Sequence, residues 1–261
     1  MNQQNKTCSY IFPCLVAAFY MFLYVPIIIL IISSFNASAY SYEWRGFSLT
    51  WYHQLWESVE VWEALRNSCI VATASVVLSL VLGLMFVVFA AGTWLDHLLL
   101  TFYGSLAAPE IVLAVGLLSF FTFFSVPLGL TTLIAGHTLI GLGYVVPLLH
   151  SRFHELSYVL TEASLDLGAD YRTTFFRVIL PLLSPALMAS ALLTFILSFD
   201  DFIISFFCTG GTTQTLPLYF FSVIRSGASP IINALSSVFL LVSSIVVLLF
   251  SSLKIRNMDF F

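Results

Sequence analysis

Three carboxylates stand at depths where this apolar chain has little else that is charged. Glu110 follows Pro109 inside one hydrophobic run, and Asp200 and Asp201 lie side by side near the end of another. A carboxylate at the centre of a bilayer costs about 2.5–3.5 kcal/mol on insertion scales, so it needs a partner, water or a task. No lysine or arginine lies within any of the hydrophobic runs, so a salt bridge inside them is unavailable from this chain. The chemistry these residues suit is neutralisation of a cationic solute, with Phe199, Phe202 and Tyr219 offering ring faces for cation–π contacts. Neighbouring helical residues point about 100° apart, so Asp200 and Asp201 cannot both face one axis. Hydration near an outer interface is the competing reading for the pair.

Other reactive types carry less. His150 and His154 are four apart, a helical spacing that suits zinc, but no third convincing ligand accompanies them, which leaves them in interfacial water. Cys8, Cys14, Cys69 and Cys208 are scattered without a CxxC and read as small buried hydrophobes. The only lysines, Lys6 and Lys254, do not follow glycine, which rules out a GxxxxGK[ST] phosphate loop. If ATP drives this protein, a different polypeptide hydrolyses it, and the chain itself needs no cofactor. An aspartyl protease would need a second aspartate facing Asp200 or Asp201 from another span, and no other span supplies one. A stand-alone secondary carrier would show internal repeats, and none is evident.

The elements that position these residues follow from composition. Of 261 residues, 60% are hydrophobic and 8% charged, against roughly 25% charged in a soluble domain. The chain is therefore read as an integral membrane protein, all-α, with one membrane domain. A net charge of −4 without a Lys/Arg cluster argues against nucleic acid. Six hydrophobic spans are expected, at residues 11–33, 67–91, 98–124, 131–149, 184–207 and 231–253, each long enough for about 30 Å of hydrocarbon. Ala37-Ser38-Ala39 looks like a signal-peptidase site, but the preceding apolar run is too long for a signal peptide. Residues 35–66, with Tyr40, Tyr42, Trp44, Trp51, Tyr52, Trp56 and Trp62, form an aromatic external connection. It suits a membrane interface or a surface for a solute-binding protein. Gly92 ends the second span, and Gly136, Gly141, Gly143 and Pro147 mark the fourth as closely packed or bent. With both termini inside, Lys6, Arg152, Arg172, Arg177, Lys254 and Arg256 are cytoplasmic, while Arg45, Arg66 and Arg225 are external. That distribution obeys the positive-inside rule.

Residues 150–183 form the polar loop of the second half. On a helix, Leu156, Leu160, Ala163 and Leu167 make an apolar stripe, and Glu162, Asp166 and Asp170 repeat on another face. Gly168 breaks the run, and a second short helix is expected from about Arg172, ending near Pro181. The stretch resembles the coupling-helix signature of bacterial ABC-transporter permeases: EAA, three residues, Gly, nine residues, then Ile-x-Leu-Pro. Glu162, Ala163, Gly168, Leu180 and Pro181 match at that spacing, with Ser164 in place of the third-position Ala and Val178 in place of the Ile.

Tyr24-Val25-Pro26-Ile27-Ile28-Ile29-Leu30, Ser198-Phe199-Asp200-Asp201-Phe202, Leu216-Pro217-Leu218 and Gly227-Ala228-Ser229-Pro230 are similar to the spermidine/putrescine branch. The resemblance implies the type I importer permease fold and a place in the bacterial inner membrane. It also implies polyamine import with ATP and Mg on two copies of a partner ATPase, a second homologous permease and a solute-binding protein. Glu162, Ala163, Ser164, Asp166, Gly168, Ala169, Leu180 and Pro181 would then contact the ATPase.

Overall fold

A computed structural model describes residues 4–38, 43–90, 93–155, 158–211, 213–227 and 230–258. Ala39, Tyr40, Tyr42, Gly92, Leu156, Ala228 and Ser229 lie outside the described residues. The described residues are helical apart from turns, loops and one isolated antiparallel bridge between Asn36 and Phe47. Among them, four helices are long and apolar enough to cross a membrane, or five if one bent pair counts as a single span. The last helix contributes a shorter apolar segment, Pro230–Ile245.

The chain divides into two compact units, residues 1–59 with 220–261, and residues 60–219. In the first, α1 (Gln4–Ser34) packs along α12 (Pro230–Met258), and the short α2 (Thr50–Glu57) packs on α12 as well. The expected aromatic connection is folded here around one buried side chain. Asn36 Nδ2 donates to the Glu43 carbonyl (2.8 Å), and its Oδ1 accepts from Ser38 N (3.1 Å) and Arg45 N (3.0 Å). Trp51 Nε1 donates to the Asn36 carbonyl at 2.7 Å, and Phe35 stacks on Phe47 at 5.3 Å. One amide thus answers backbone groups that an irregular loop would otherwise leave unpaired.

The second unit is built on α6 (Leu130–Glu155), which packs against α4 (Asp96–Ser105), α5 (Glu110–Phe123), α9 (Leu180–Asp200) and α10 (Ile203–Cys208). Glycine makes that centrality possible. A Cβ on Gly141 would collide with Ser79 Oγ and lie 2.8 Å from Thr194 Cγ2, so three helices meet where that side chain is missing. From α3 (Val59–Ala90), buried Ser75 and Ser79 donate to the carbonyls of Ile134 (3.2 Å) and Thr138 (3.0 Å) on α6. Small, weakly polar residues let transmembrane backbones approach and bond across the contact. Cys208 is buried, as expected, whereas Cys14 and Cys69 are exposed on their apolar helices.

The helix bounds do not coincide with those of the expected spans. Helix α3 starts at Val59, ahead of the span expected from residue 67, because Ser58 is extended and ends α2, and Glu60 then sits favourably in the first turn. The third span is not one helix: α4 and α5 meet at 111°. Pro109, with ψ 127°, cannot continue a helix, and its carbonyl instead accepts from Val112 N and Leu113 N to start α5. Helix α9 stops at Asp200, within the expected fifth span, and the side chain of Asp201 starts the separate α10. No second short helix ends at Pro181. From Tyr171 the chain runs through α8 (Tyr171–Thr174), a π stretch (Phe175–Ile179) and α9 to Asp200. The wider π turn, with Leu180 N bonded to the Phe175 carbonyl, accommodates a proline that would interrupt a regular helix.

Candidate functional site

Where α4, α5, α6 and α9 converge, they enclose a cavity of about 330 Å³ lined by Glu110, His137, Thr194, Ser198 and Asp201 among mostly apolar neighbours. Each polar group is placed by a local device. Glu110 is the first residue of α5, directly after the break at Pro109. Asp201 lies in the break after α9 and caps α10, with Oδ2 accepting from Ser205 N at 2.9 Å and Oδ1 from Ile204 N at 3.4 Å. Only 8% of Asp201 is exposed. Glu110 is exposed and lines the same cavity as Asp201. Two carboxylates that share one cavity repel unless a proton or cation answers them.

His137 completes the group from α6 and is 2% exposed. Its Nδ1 is 2.9 Å from Ser198 Oγ, and its Nε2 is 3.2 Å from Ser205 Oγ and 3.5 Å from Asp201 Oδ2. Thr194 Oγ1 is buried with no hydrogen-bond partner among the described residues. The cavity is thus small, mostly apolar and supplied with a few convergent polar groups, as solute sites generally are. No lysine or arginine is among its lining residues.

The structure therefore brings Glu110 and Asp201 together. The other residues singled out for the path do not line this cavity. Asp200, the last residue of α9, is exposed, so the adjacent aspartates do point differently. Phe199 is half-buried and stacks on Phe195 at 5.8 Å; Phe202 sits in the break with its ring 5.6 Å from Phe206. Tyr219 is buried on α11 (Leu216–Gly227). His137 escaped the sequence reading, which weighed only carboxylates at membrane depth. A titratable ring in the middle of the fourth apolar run was the available signal.

The polar loop has its own architecture. Helix α7 (Tyr158–Asp166) ends in a Schellman turn: Ala169 N donates to the Ser164 carbonyl (3.1 Å) and Gly168 N to the Leu165 carbonyl (2.9 Å). Gly168 has φ +87°, a conformation that only glycine adopts without strain. Asp170 Oδ1 then accepts from Thr173 N at 3.1 Å and caps α8, and hydrogen bonding from the Thr173 side chain and then its amide holds the exposed carboxyl below the usual carboxylate range. Ser164 Oγ meets the buried Thr174 Oγ1 at 3.0 Å and ties α7 to α8. Glu162, Ala163, Asp166 and Pro181 are exposed, while Ala169 and Leu180 are half-buried. The expected apolar stripe is not buried within the chain: Leu160, Ala163 and Leu167 all face outward, and Leu167 is 90% exposed.

Residues 63–257 match the family described as the inner membrane component of binding-protein-dependent transport systems. The chain belongs to this family. It is 35% identical over 246 residues to the spermidine/putrescine transport system permease protein PotC of Escherichia coli K12, covering 92% of each chain. It is 32% identical over 244 residues to PotC of Haemophilus influenzae, covering 91% of this chain and 94% of the relative. Identity to the putrescine transport system permease protein PotI of E. coli K12 is 32% over 231 residues, covering 85% and 82%.

In fold, this permease is similar to a chain of a bacterial ABC transporter that imports alginate (TM-score 0.71, 14% identity, covering 97% and 98%). It is also similar to a chain of the MetNI methionine ABC transporter (TM-score 0.56, 20% identity, covering 78% and 97%). The permease is thus a multi-pass component of an inner membrane importer with the type I fold. It is a transport subunit rather than an enzyme, and works with a separate ATPase, a solute-binding protein and a second permease.

Proposed function

We propose that this permease moves a polyamine, of the spermidine/putrescine class, inward through the cavity bounded by Glu110 and Asp201. The observation that carries this reading is that two carboxyls, Glu110 and Asp201, line one mostly apolar cavity with no lysine or arginine in its lining. A solute ammonium supplies the missing charge, and Ser198 and the unpartnered Thr194 hydroxyl offer it further acceptors. The relatives named for spermidine and putrescine support the same class. Asp200, Phe199, Phe202 and Tyr219 are proposed to extend the path beyond the cavity wall, where the second permease completes it.

The α7–α8 segment, with Glu162, Ala163, Ser164, Asp166, Gly168, Ala169, Leu180 and Pro181, is proposed to dock on the ATPase. Exposed Leu160, Leu167 and Tyr171 at its tip suit burial in a partner's groove. The continuous run from Tyr171 to Asp200 would carry motion of that segment to the edge of the cavity next to Asp201. ATP binding then biases two conformations of the membrane domain, with no chemistry in this chain. The full assembly has two ATPase copies, this permease crosses the membrane six times, and both termini are cytoplasmic. A mild-detergent pull-down with mass spectrometry tests the assembly, and labelled putrescine and spermidine uptake tests the solute. An ATPase and a second permease with saturable polyamine uptake fit the proposal. The same partners with uptake of only neutral or anionic solutes would overturn the polyamine assignment.

A further inference from the structure

A second cluster of titratable side chains lies away from the cavity, where the first turn of α4 meets the last turns of α6. Asp96, His150 and His154 point one ligand atom each into a common space, all within 4.8 Å of one another. His150 Nε2 is 3.2 Å from Asp96 Oδ1, His154 Nε2 is 3.3 Å from Asp96 Oδ2, and the two Nε2 atoms are 3.0 Å apart. Zinc binds histidine nitrogen and carboxylate oxygen at about 2.0–2.2 Å, so ligand atoms around a tetrahedral ion lie about 3.3 Å apart. The closest spacings here are of that size.

The surrounding hydrogen bonds leave this space short of donors. Tyr103 Oη donates to the Pro147 carbonyl at 3.3 Å, which leaves its oxygen to accept from His150 Nδ1, also at 3.3 Å. Assigned from that network, the His150 ring proton sits on Nδ1 and the Nε2 lone pair faces Asp96 and His154. A neutral imidazole carries one N–H. With both rings neutral, one His154 N–H is all that lies among two nitrogens and a carboxylate, where a cation would satisfy all three. A ligand histidine that gives its other N–H to an oriented acceptor is the usual support of a metal site.

We infer that Asp96, His150 and His154 bind a divalent transition metal, with zinc the best fit, leaving the fourth position open. The ion ties the start of α4 to the end of α6. His154 is one residue from the end of α6, and α7 starts at Tyr158, so the clamp sits at the root of the proposed coupling segment. The inference does not depend on which solute is carried.

The test is zinc titration of the assembled, metal-depleted transporter, purified without a polyhistidine tag, against a chromophoric chelator. One zinc per copy of this chain is expected. Affinity should fall by about 100-fold or more in His150→Ala/His154→Ala, while His97→Ala, a neighbouring histidine outside the cluster, keeps it. Tyr103→Phe should weaken binding by about 10- to 100-fold through loss of the orienting bond. Cobalt in the same site should give the visible bands of tetrahedral coordination. Absence of stoichiometric binding, or equal binding by the double variant, would overturn the inference. If the double variant does not assemble, unchanged affinity in both Asp96→Asn and Tyr103→Phe would do the same.

Discussion

Asp201 holds two roles at once, and substitution can separate them. Its carboxylate caps α10 through the Ser205 and Ile204 amides, and it lines the cavity together with Glu110. Asp201→Ala removes the cap and strands two buried donors, at about 1–3 kcal/mol for each unsatisfied group. Asp201→Asn keeps an oxygen for the cap, since asparagine and aspartate cap comparably, so stability should stay within about 1 kcal/mol of the parent. The negative charge is lost in both. A carboxylate–ammonium hydrogen bond contributes about 1.5–3 kcal/mol, so kcat/KM for polyamine uptake should fall roughly 10- to 150-fold in either variant. The assay is initial-rate uptake of labelled putrescine and spermidine, paired with thermal unfolding of the purified complex. The expected pattern is equal transport loss in both variants, with lower thermal stability only in Asp201→Ala. Native uptake in a well-assembled Asp201→Asn would refute the solute role and leave Asp201 as a helix cap alone.

Four further outcomes follow from the geometry. At Gly168 no atom lies within 4 Å of an added Cβ, so Gly168→Ala should cost only the left-handed backbone penalty, about 1–2 kcal/mol. Gly168→Pro cannot adopt φ +87° and should insert and assemble yet lose ATP-coupled uptake; normal uptake would remove this turn from coupling. Gly141→Ala should overpack the α3–α6–α9 contact by about 1–3 kcal/mol, and Ser79→Ala in the same chain should recover part of the lost thermal stability. No recovery would show that Ser79 is not what the added methyl strikes. Asp170 has its folded pKa lowered by the Thr173 side chain and amide, so its capping contribution is complete above the ordinary carboxylate range and fades as pH falls through the folded value. The protection factor of the Thr173 amide against exchange should fall on acidification, and Asp170→Asn should remove that dependence; an unchanged profile in the variant would discount the cap.

How much of this was legible in the sequence depended on the range of the interactions involved. The turn at Gly168 and the cap at Asp170 are local, and Glu162, Asp166 and Gly168 announce a helix end on their own. The continuity of α8 with α9 is also local but was hidden, because Pro181 and Pro185 signal a break unless the preceding backbone widens into a π turn. The separation of Asp200 from Asp201 follows from helical geometry. The break that turns Asp201 into a cap does not, because it depends on Ser205 and Ile204 presenting their amides together. His137 announces itself only as a titratable ring in the middle of an apolar run, and its contacts with Ser198, Ser205 and Asp201 come from packing between distant segments. Asp96 is 54 residues from His150, and their meeting depends on packing of α4 against α6, which no spacing rule encodes.

The most direct measurement is uptake by proteoliposomes containing this permease, its partner permease, the ATPase and the solute-binding protein. ATP-dependent accumulation of labelled spermidine or putrescine is expected, abolished when this chain is omitted and strongly reduced in Glu110→Gln and Asp201→Asn. Polyamine accumulation without ATP, or full ATP-driven accumulation with both carboxyls neutralised, would contradict the account.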